Sequence, residues 1–147
     1  MVVTSARFLL VRVELLDARP LPKATSALSS SIRDSVRENF GDFGAGLVLS
    51  LFQTRNYSPS AGLCYVRIAR EHVQMMRAAI SLVRFIQRQP AILTVLQTCG
   101  SPRTIRKALL TRLQKCEHSL PNDGLDAAAR KELLRMQHEL RDSQQEE

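Results

Sequence analysis

The stretch that decides the fold is residues 47–69, which reads LVLSLFQTRNYSPSAGLCYVRIA. It contains two apolar runs, residues 47–52 and 63–69, and between them a connection rich in Asn, Ser, Pro and Gly. Short apolar runs bounded by turn residues are typical of β-strands, and two of them in succession predict a hairpin. We therefore expect an antiparallel pair of strands at the centre of the chain, joined by a loop at residues 56–62.

A helix is predicted on each side of this hairpin. Before it, apolar side chains recur at every fourth position from Leu28 to Phe40, which gives one apolar stripe on a helix. We expect Gly41 to end that helix, because glycine readily adopts the left-handed conformation found just after helices. After the hairpin, similar spacing predicts a second helix from about residue 70 to residue 89, where Pro90 follows.

Two strands flank these helices, and two further helices complete the chain. Residues 7–16 alternate and are rich in Val and Leu, and residues 91–98 form a similar run. Ser101 followed by Pro102 is typical of a helix start, and a last helix is expected over about residues 125–140. This order predicts an α+β fold, a ferredoxin-like (RRM-like) βαββαβ antiparallel sheet with two additional C-terminal helices. Those two helices are available to cover the sheet face that the first two leave open.

Charge also divides the chain. The formal net charge is +7, but residues 1–116 contain 17 Lys and Arg against 6 Asp and Glu. Residues 117–147 contain 4 Lys and Arg against 8 Asp and Glu. We therefore expect a ferredoxin-like, basic domain at residues 1–120, and a C-terminal helix with an acidic tail at residues 121–147.

The basic excess indicates an anionic partner. A compact domain with so many like charges repels itself until something neutralises them, and a nucleic acid backbone does so with release of counterions. Most of these cations are arginines, whose planar fork matches phosphate and also stacks on bases. A basic surface that is merely solvated is the alternative. A membrane is disfavoured, because no apolar run is long enough to span a bilayer and no basic helix carries a large aromatic face.

The nucleic-acid-binding residues are expected in two patches. The first lies at the start of the third helix, where Arg103, Arg106 and Lys107 follow Gly100 without an intervening acid. The free N–H groups of a helix start add positive charge there, which favours a bound phosphate. The second patch belongs to the hairpin connection and the strand after it, and its residues are Arg55, Asn56, Tyr57, Arg67 and Arg70.

Two residues of the second patch also have a structural interpretation. Tyr57 can stack on a base, or it can anchor the loop with its ring half-buried. Asn56 can bind a phosphate or a base edge, or it can be a simple turn residue. The sequence leaves both interpretations open.

No catalytic or metal site is predicted. The three cysteines are far apart and have no metal-ligand spacing to the three histidines, so we expect reduced thiols. Asp34 and Glu38 lie four residues apart, but surface pairing with neighbouring arginines is the simpler interpretation. A small phosphatase of the acylphosphatase-like fold is an alternative. Arg55 and Asn56 alone are a weak signal for it, and the chain lacks the glycine-rich phosphate loop of such enzymes.

Seven short stretches together resemble one protein family. They occur within residues 5–116 in the order 7–11, 31–36, 40–44, 55–57, 66–67, 70–71 and 100–107. In this order they resemble the fifth "processing of precursor RNA" protein subunit family of eukaryotic ribonuclease P and RNase MRP, with its archaeal counterpart. The chain departs from the family pattern at Pro102, whereas Arg103 still aligns with the family's arginine.

The resemblance implies a ferredoxin-like, non-catalytic subunit of a ribonucleoprotein. In that family the RNA cleaves the phosphodiester bond, with Mg²⁺ expected at the RNA active site and no cofactor bound by the protein. It implies removal of the 5′ leader from precursor tRNA, rRNA processing in RNase MRP, and a place in the nucleus and nucleolus. The implied partners are the catalytic RNA, nearby precursor tRNA, a TIM-barrel-like protein subunit and a paralogous small subunit.

In this role Arg103, Arg106 and Lys107 are expected to contact RNA phosphates near the active centre. The closest alternative is a stand-alone RRM-like protein that binds single-stranded RNA. That module stacks bases on aromatic residues of its central strands. Residues 63–68 carry one aromatic residue and lack the spacing of the ribonucleoprotein signature, so stacking on the sheet is disfavoured.

Overall fold

The computed structural model describes residues 5–17, 23–58, 61–119 and 127–145. Its helices and strands are, in chain order, β1 (Ala6–Leu15), α1 (Ala24–Val48), β2 (Gln53–Ser58), β3 (Leu63–Ala69), α2 (Val73–Ser81), β4 (Phe85–Ile86), β5 (Gln89–Cys99), α3 (Pro102–Ser119) and α4 (Ala127–Gln145). A single 3₁₀ turn, Arg70–His72, joins β3 to α2.

One antiparallel sheet organises these elements, with the strand order β2-β3-β1-β5-β4. The first strand lies between β3 and β5, so that Leu9 is opposite Val66 on one side and Thr98 on the other. This is the ferredoxin-like arrangement, with β5 in the place of the expected fourth strand and the two-residue β4 added at its edge. The predicted fold class is confirmed.

Each face of the sheet carries its own apolar core, because successive side chains of a strand point to opposite faces. On one face, Leu9 and Val11 of β1 pack in a first core with residues of α1 and α2. On the other face, Phe8 and Leu10 pack in a second core with residues of α3 and α4. The second core includes five aliphatic side chains from those two helices, namely Ile105, Leu109, Leu113, Leu133 and Leu140.

The C-terminal helices therefore cover the second face, as expected. Burying an aliphatic side chain of this size stabilises a fold by roughly 1.5–3 kcal/mol. The five side chains of α3 and α4 thus make both helices part of the core. The division of the chain at residue 120 stays a prediction, since residues 120–126 lie outside the described residues.

The predicted strand at residues 47–52 is wrong, and so is the expectation that Gly41 ends the first helix. Gly41 has a φ of +70° and breaks the helical geometry, but the helix resumes after it and continues to Val48. The resumed turns bury Ala45 and Val48 against the first core. A short apolar run fits a buried strand or a buried helix equally well, and here its first two residues end the helix, because the resumed turns pack against the first core.

The second strand is displaced as a result. It begins at Gln53, so Asn56 and Tyr57 lie in a strand and not in the predicted loop. The pairing of β2 with β3 is irregular between Arg55 and Ser58, where Asn56 has a φ of +51°. The hairpin itself is present, and its connection is shorter than expected.

The second helix is also shorter than predicted. It ends at Ser81, and the chain then forms the β4–β5 hairpin, in which Gln87 and Arg88 take positive φ angles. Phe85 pairs with Pro90, so that proline lies near the start of a strand and does not follow a helix. A two-residue turn without Gly or Asn carries none of the usual signals of a hairpin, which explains why the sequence did not reveal it.

Candidate nucleic-acid interface

Three arginines from three elements converge on one side of the molecule. Arg55 of β2 is opposite Tyr65, and Arg67 of β3 is opposite Gln53, so both arginines project from the sheet face that carries the second core. Arg106 reaches the same place from α3. Together they line a cavity of about 430 Å³, here called the basic groove, whose lining residues are Ala6, Phe8, Gln53, Arg55, Tyr65, Arg67, Gly100, Pro102 and Arg106. None of these residues is acidic.

The start of α3 borders this groove. The N–H of Thr104 donates to Ser101 Oγ at 3.2 Å, and the N–H of Ile105 donates to the Ser101 carbonyl oxygen at 3.2 Å. Ser101 is therefore the N-cap, as predicted. A Cβ atom on Gly100 would meet nothing within 4 Å, so the space in front of that backbone is open to a ligand. The positive end of the helix dipole faces this space and favours an anion.

The floor of the groove is aromatic but closed. The rings of Phe8 and Tyr65 lie edge to face, with centroids 6.1 Å apart and planes at 68°. Both side chains are more than nine-tenths buried, because α3 and α4 cover them. A base cannot stack on this face while those helices are in place, which removes the platform of an RRM-like protein.

The predicted cations occupy different positions around the groove. Arg55 is exposed, and its guanidinium donates to Gln53 Oε1 at 2.9 Å. Arg67 and Arg106 are half-buried in the groove. Arg103 and Lys107 are exposed one turn apart on α3 and are not among the residues that line the groove. The groove thus brings Arg106 of the first predicted patch together with Arg55 and Arg67 of the second.

The other members of the second patch do not line the groove. Arg70 is exposed in the 3₁₀ turn after β3, and its backbone N–H bonds to the Ser5 carbonyl oxygen at 2.9 Å. Tyr57 packs half-buried against the first core, on the opposite face. Burial raises the pKa of its phenol, and the nearby thiol of Cys64 and carboxylate of Glu132 raise it further. This placement favours the structural interpretation of Tyr57, namely an anchor.

Asn56 lines a second, smaller cavity of about 240 Å³, here called the side cavity, whose lining residues are Arg55, Asn56, Tyr65, Arg106, Met136, Glu139 and Leu140. The last three of these residues belong to α4. No sequence pattern indicated them, nor Gln53 and Phe8 in the groove, because their position depends on how helices and strands pack. Strand register links Gln53 to Arg67, and only the pairing of β2 with β3 reveals it.

Other chemistry receives no support from the described part of the chain. No group of three or more His, Cys, Asp or Glu side chains among those residues could hold a metal ion. Cys64 is fully buried, and burial raises the pKa of its thiol to about 12, which makes it a poor nucleophile. Asp34 pairs with Arg37 at 4.0 Å, as expected of a surface pair, whereas Arg33 lies over the ring of Phe52. Nor does any described helix have the length and apolarity needed to cross a bilayer.

A family profile and two relatives agree on one protein family. The profile of the Rpp14/Pop5 family matches residues 7–110. The ribonuclease P/MRP protein subunit POP5 of Schizosaccharomyces pombe is 33% identical over 135 residues, which are 85% of this chain and 95% of that protein. The probable ribonuclease P/MRP protein subunit POP5 of Arabidopsis thaliana is 35% identical over 102 residues, which are 67% of this chain and 68% of that protein.

A solved structure supports the fold. A chain of the cryo-EM structure of yeast ribonuclease MRP superposes with a TM-score of 0.55 at 15% sequence identity. The match covers 80% of this chain and 98% of that chain. At this identity the likeness concerns the fold alone.

Proposed function

Because the chain belongs to the Rpp14/Pop5 family, we propose that it is a non-catalytic protein subunit of ribonuclease P/MRP that binds and stabilises the RNA of that complex. Its curated relatives carry the name of such a subunit. The observation that carries the RNA-binding role is the convergence of Arg55, Arg67 and Arg106 on a groove without acids, beside the start of α3.

This geometry suits the backbone of a folded RNA. A compact RNA brings phosphates from different strands close together, and they repel each other. Guanidinium groups set at fixed positions can bind several such phosphates at once, and each contact releases condensed counterions. Because the arginines are held by two strands and a helix, their spacing is set before the RNA binds. The protein then stabilises one arrangement of the RNA and not any extended strand.

The same residues bear on whether the protein or the RNA performs the cleavage. The groove holds cations and amides but no pair of acid and base, so it offers binding without proton transfer. In the proposed function the RNA cleaves the phosphodiester bond with Mg²⁺ at its own active site. The complex removes the 5′ leader of precursor tRNA and, as RNase MRP, processes rRNA. We place this work in the nucleus and nucleolus.

Protein partners are proposed for the opposite side of the molecule. Phe43 of α1 is 81% exposed, and Phe85 of β4 is 58% exposed. Phe85 and Leu82 line a cleft against α1 on the face of the sheet that carries the first core, away from the basic groove. Such exposed apolar side chains are common in protein–protein contacts. We assign this side to the TIM-barrel-like and the paralogous small subunits that the family resemblance implies.

A charge-matched pair of triple variants tests the RNA-binding role. In the first, Arg55, Arg67 and Arg106 are all replaced by Gln; in the control, the exposed residues Arg77, Arg84 and Arg88 are replaced by Gln. Binding of the purified chain to the RNA of ribonuclease P/MRP is measured over a range of salt concentrations. The groove variant should bind more weakly, and each lost contact should make the slope of log K against log salt shallower by about 0.7–0.9.

The control should keep the wild-type slope, because its net charge falls equally but its groove is intact. Equal losses of RNA affinity in both variants would contradict the proposal, because RNA would then respond to the overall positive charge of the chain and not to the groove. A second measurement concerns the cations of α3. Reversal of the charges of Arg103, Arg106 and Lys107 should lower cleavage of precursor tRNA by the reconstituted complex at rising salt, and unchanged cleavage would reject their contact with RNA.

A further inference from the structure

The basic groove and the side cavity share a wall but differ in charge. Both are lined by Arg55, Tyr65 and Arg106. The groove continues from this wall toward Arg67 and the start of α3, where no acid lines it. The side cavity continues toward α4, where Glu139 lines it. An anion that binds the shared arginines therefore meets cations in one direction and a carboxylate in the other.

Packing fixes the backbone of α4 at Glu139. Its neighbour Leu140 is 3% exposed and belongs to the second core. So does Leu133, which lies seven residues earlier on the same helix. Moving the backbone at Glu139 away from the cavity would therefore take Leu140 out of the core. The Oε1 atom of Glu139 accepts a hydrogen bond from Arg135 Nε at 2.9 Å, which orients the exposed carboxylate on α4.

We propose that Glu139 is a specificity-determining residue of the RNA site, which ends the track of bound phosphates at the side cavity. A phosphate is accepted between Arg55, Arg106 and Arg67, and a further phosphate is repelled at the side of Asn56 by the carboxylate of Glu139. This inference rests on the proposed function, because it states in which direction, and how far, the bound phosphates extend along the same RNA site.

The ligand that this arrangement favours is a folded RNA whose backbone crosses the groove. Such an RNA presents phosphates at the Arg67 end of the groove and leaves the side cavity empty. A flexible single strand can follow both cavities, and it loses affinity because part of it approaches Glu139. An acid at this place thus lowers non-specific binding of a basic chain to any polyanion, without weakening the contacts of the folded RNA.

The test compares Glu139→Gln with Glu38→Gln. Both variants raise the net charge by one and both acids are exposed, but Glu38 lies on α1 at the opposite side of the sheet. The probes are poly(U), as an extended single strand, and the folded RNA of ribonuclease P/MRP. Dissociation constants of the full chain for each probe are measured at several salt concentrations, and thermal unfolding of each variant confirms that it is folded.

Glu139→Gln should tighten the binding of poly(U) by about threefold to tenfold, the effect of one nearby like charge in a partly solvated site. Its salt slope for poly(U) should steepen by up to about 0.7, because one more phosphate is bound. Binding of the folded RNA should change by less than about twofold, and Glu38→Gln should change neither probe by more than that. Glu139→Asp, which keeps the charge, should retain the preference of the wild type.

Three results would overturn the inference. They are an equal gain for both RNAs in Glu139→Gln, a gain for poly(U) of the same size in Glu38→Gln, and unchanged binding in Glu139→Gln. These failures differ from a failure of the proposed function. If the wild-type chain binds neither RNA, the RNA-binding role itself is wrong; if it binds both and Glu139→Gln has no effect, only the role of Glu139 is.

Discussion

Gly62 allows the end of the β2–β3 hairpin to lie close to β1. Its φ is +65°, and a Cβ atom there would lie 2.5 Å from the carbonyl oxygen of Val13. The backbone is close because the Val13 N–H donates to the Gly62 carbonyl oxygen at 2.7 Å. The left-handed conformation alone costs an alanine roughly 1–2 kcal/mol, and the contact with Val13 adds to this. We expect Gly62→Ala to lower the free energy of unfolding by more than 2 kcal/mol, roughly, in urea titrations.

Gly46 offers the matched control for that substitution. It lies in the resumed part of α1, and a Cβ atom would meet nothing within 4 Å. Alanine is favoured over glycine in a helix by roughly 0.5–1 kcal/mol. Gly46→Ala should therefore stabilise the chain by about that amount. Destabilisation of both variants alike would mean that the close approach at Val13 does not decide the effect at Gly62.

Cys64 makes stability depend on pH in the alkaline range. Burial raises the pKa of its thiol from 9.0 to about 12. Since the folded-state pKa is the higher one, its contribution to stability is complete below pH 9 and is lost as the pH rises toward 12. Between pH 8 and pH 10 the free energy of unfolding should fall by roughly 1 kcal/mol for this thiol. Urea titrations of Cys64→Ala at the two pH values should show a smaller fall, and an equal fall would exclude Cys64 as its cause.

The N-cap of α3 can be tested by removal of the Ser101 hydroxyl. Ser101 Oγ accepts the N–H of Thr104, one of the N–H groups that a helix start leaves without an intrahelical partner. Loss of such a cap typically costs about 1 kcal/mol. Thermal or urea unfolding of Ser101→Ala should show this loss. Ser81→Ala, which removes an exposed hydroxyl bonded to the Arg77 carbonyl oxygen within α2, should be nearly neutral.

Sequence reasoning succeeded where an element has one strong local signal. The N-cap of α3 and the alternation of β1 are such signals, and both elements start within a residue of their expected places. It failed for residues 47–52, because packing against α2 and the sheet, not local pattern, makes them end a helix. It also missed β4, whose turn at Gln87 and Arg88 lacks the residues that usually permit positive φ angles.

The candidate site shows the same limit. Charge and helix position pointed to Arg106 and to the cations next to it, and the hairpin pointed to Arg55 and Arg67. That Arg55 and Arg106 line one groove follows only from strand register and from the packing of α3 on the sheet. The irregular pairing after Arg55 turns Tyr57 to the opposite face, so neighbouring residues in the sequence separate into different sites.

The described part of the molecule is a sheet between two helical layers, and α4 of the acidic C-terminal segment belongs to one of those layers. The charge pattern suggested a division near residue 120, but α4 contributes Leu133 and Leu140 to the second core. If α4 unfolds together with the sheet, a cavity made in α4 must lower the stability of the entire chain. If it is a separate appendage, the same cavity must leave the main unfolding transition unchanged.

Leu140→Ala separates these two cases. Leu140 is 3% exposed, and replacement of such a leucine by alanine typically costs 2–5 kcal/mol, roughly, through lost burial and the cavity that remains. The control is Leu134→Ala on the same helix, because Leu134 is 48% exposed and its loss should cost less than about 0.5 kcal/mol. Urea unfolding is followed at the same time by circular dichroism and by tyrosine fluorescence, which reports on the sheet through Tyr57 of β2 and Tyr65 of β3. One transition shifted equally in both signals for Leu140→Ala would make α4 and the sheet a single cooperative unit; an unshifted tyrosine signal would establish the division that the charges suggest.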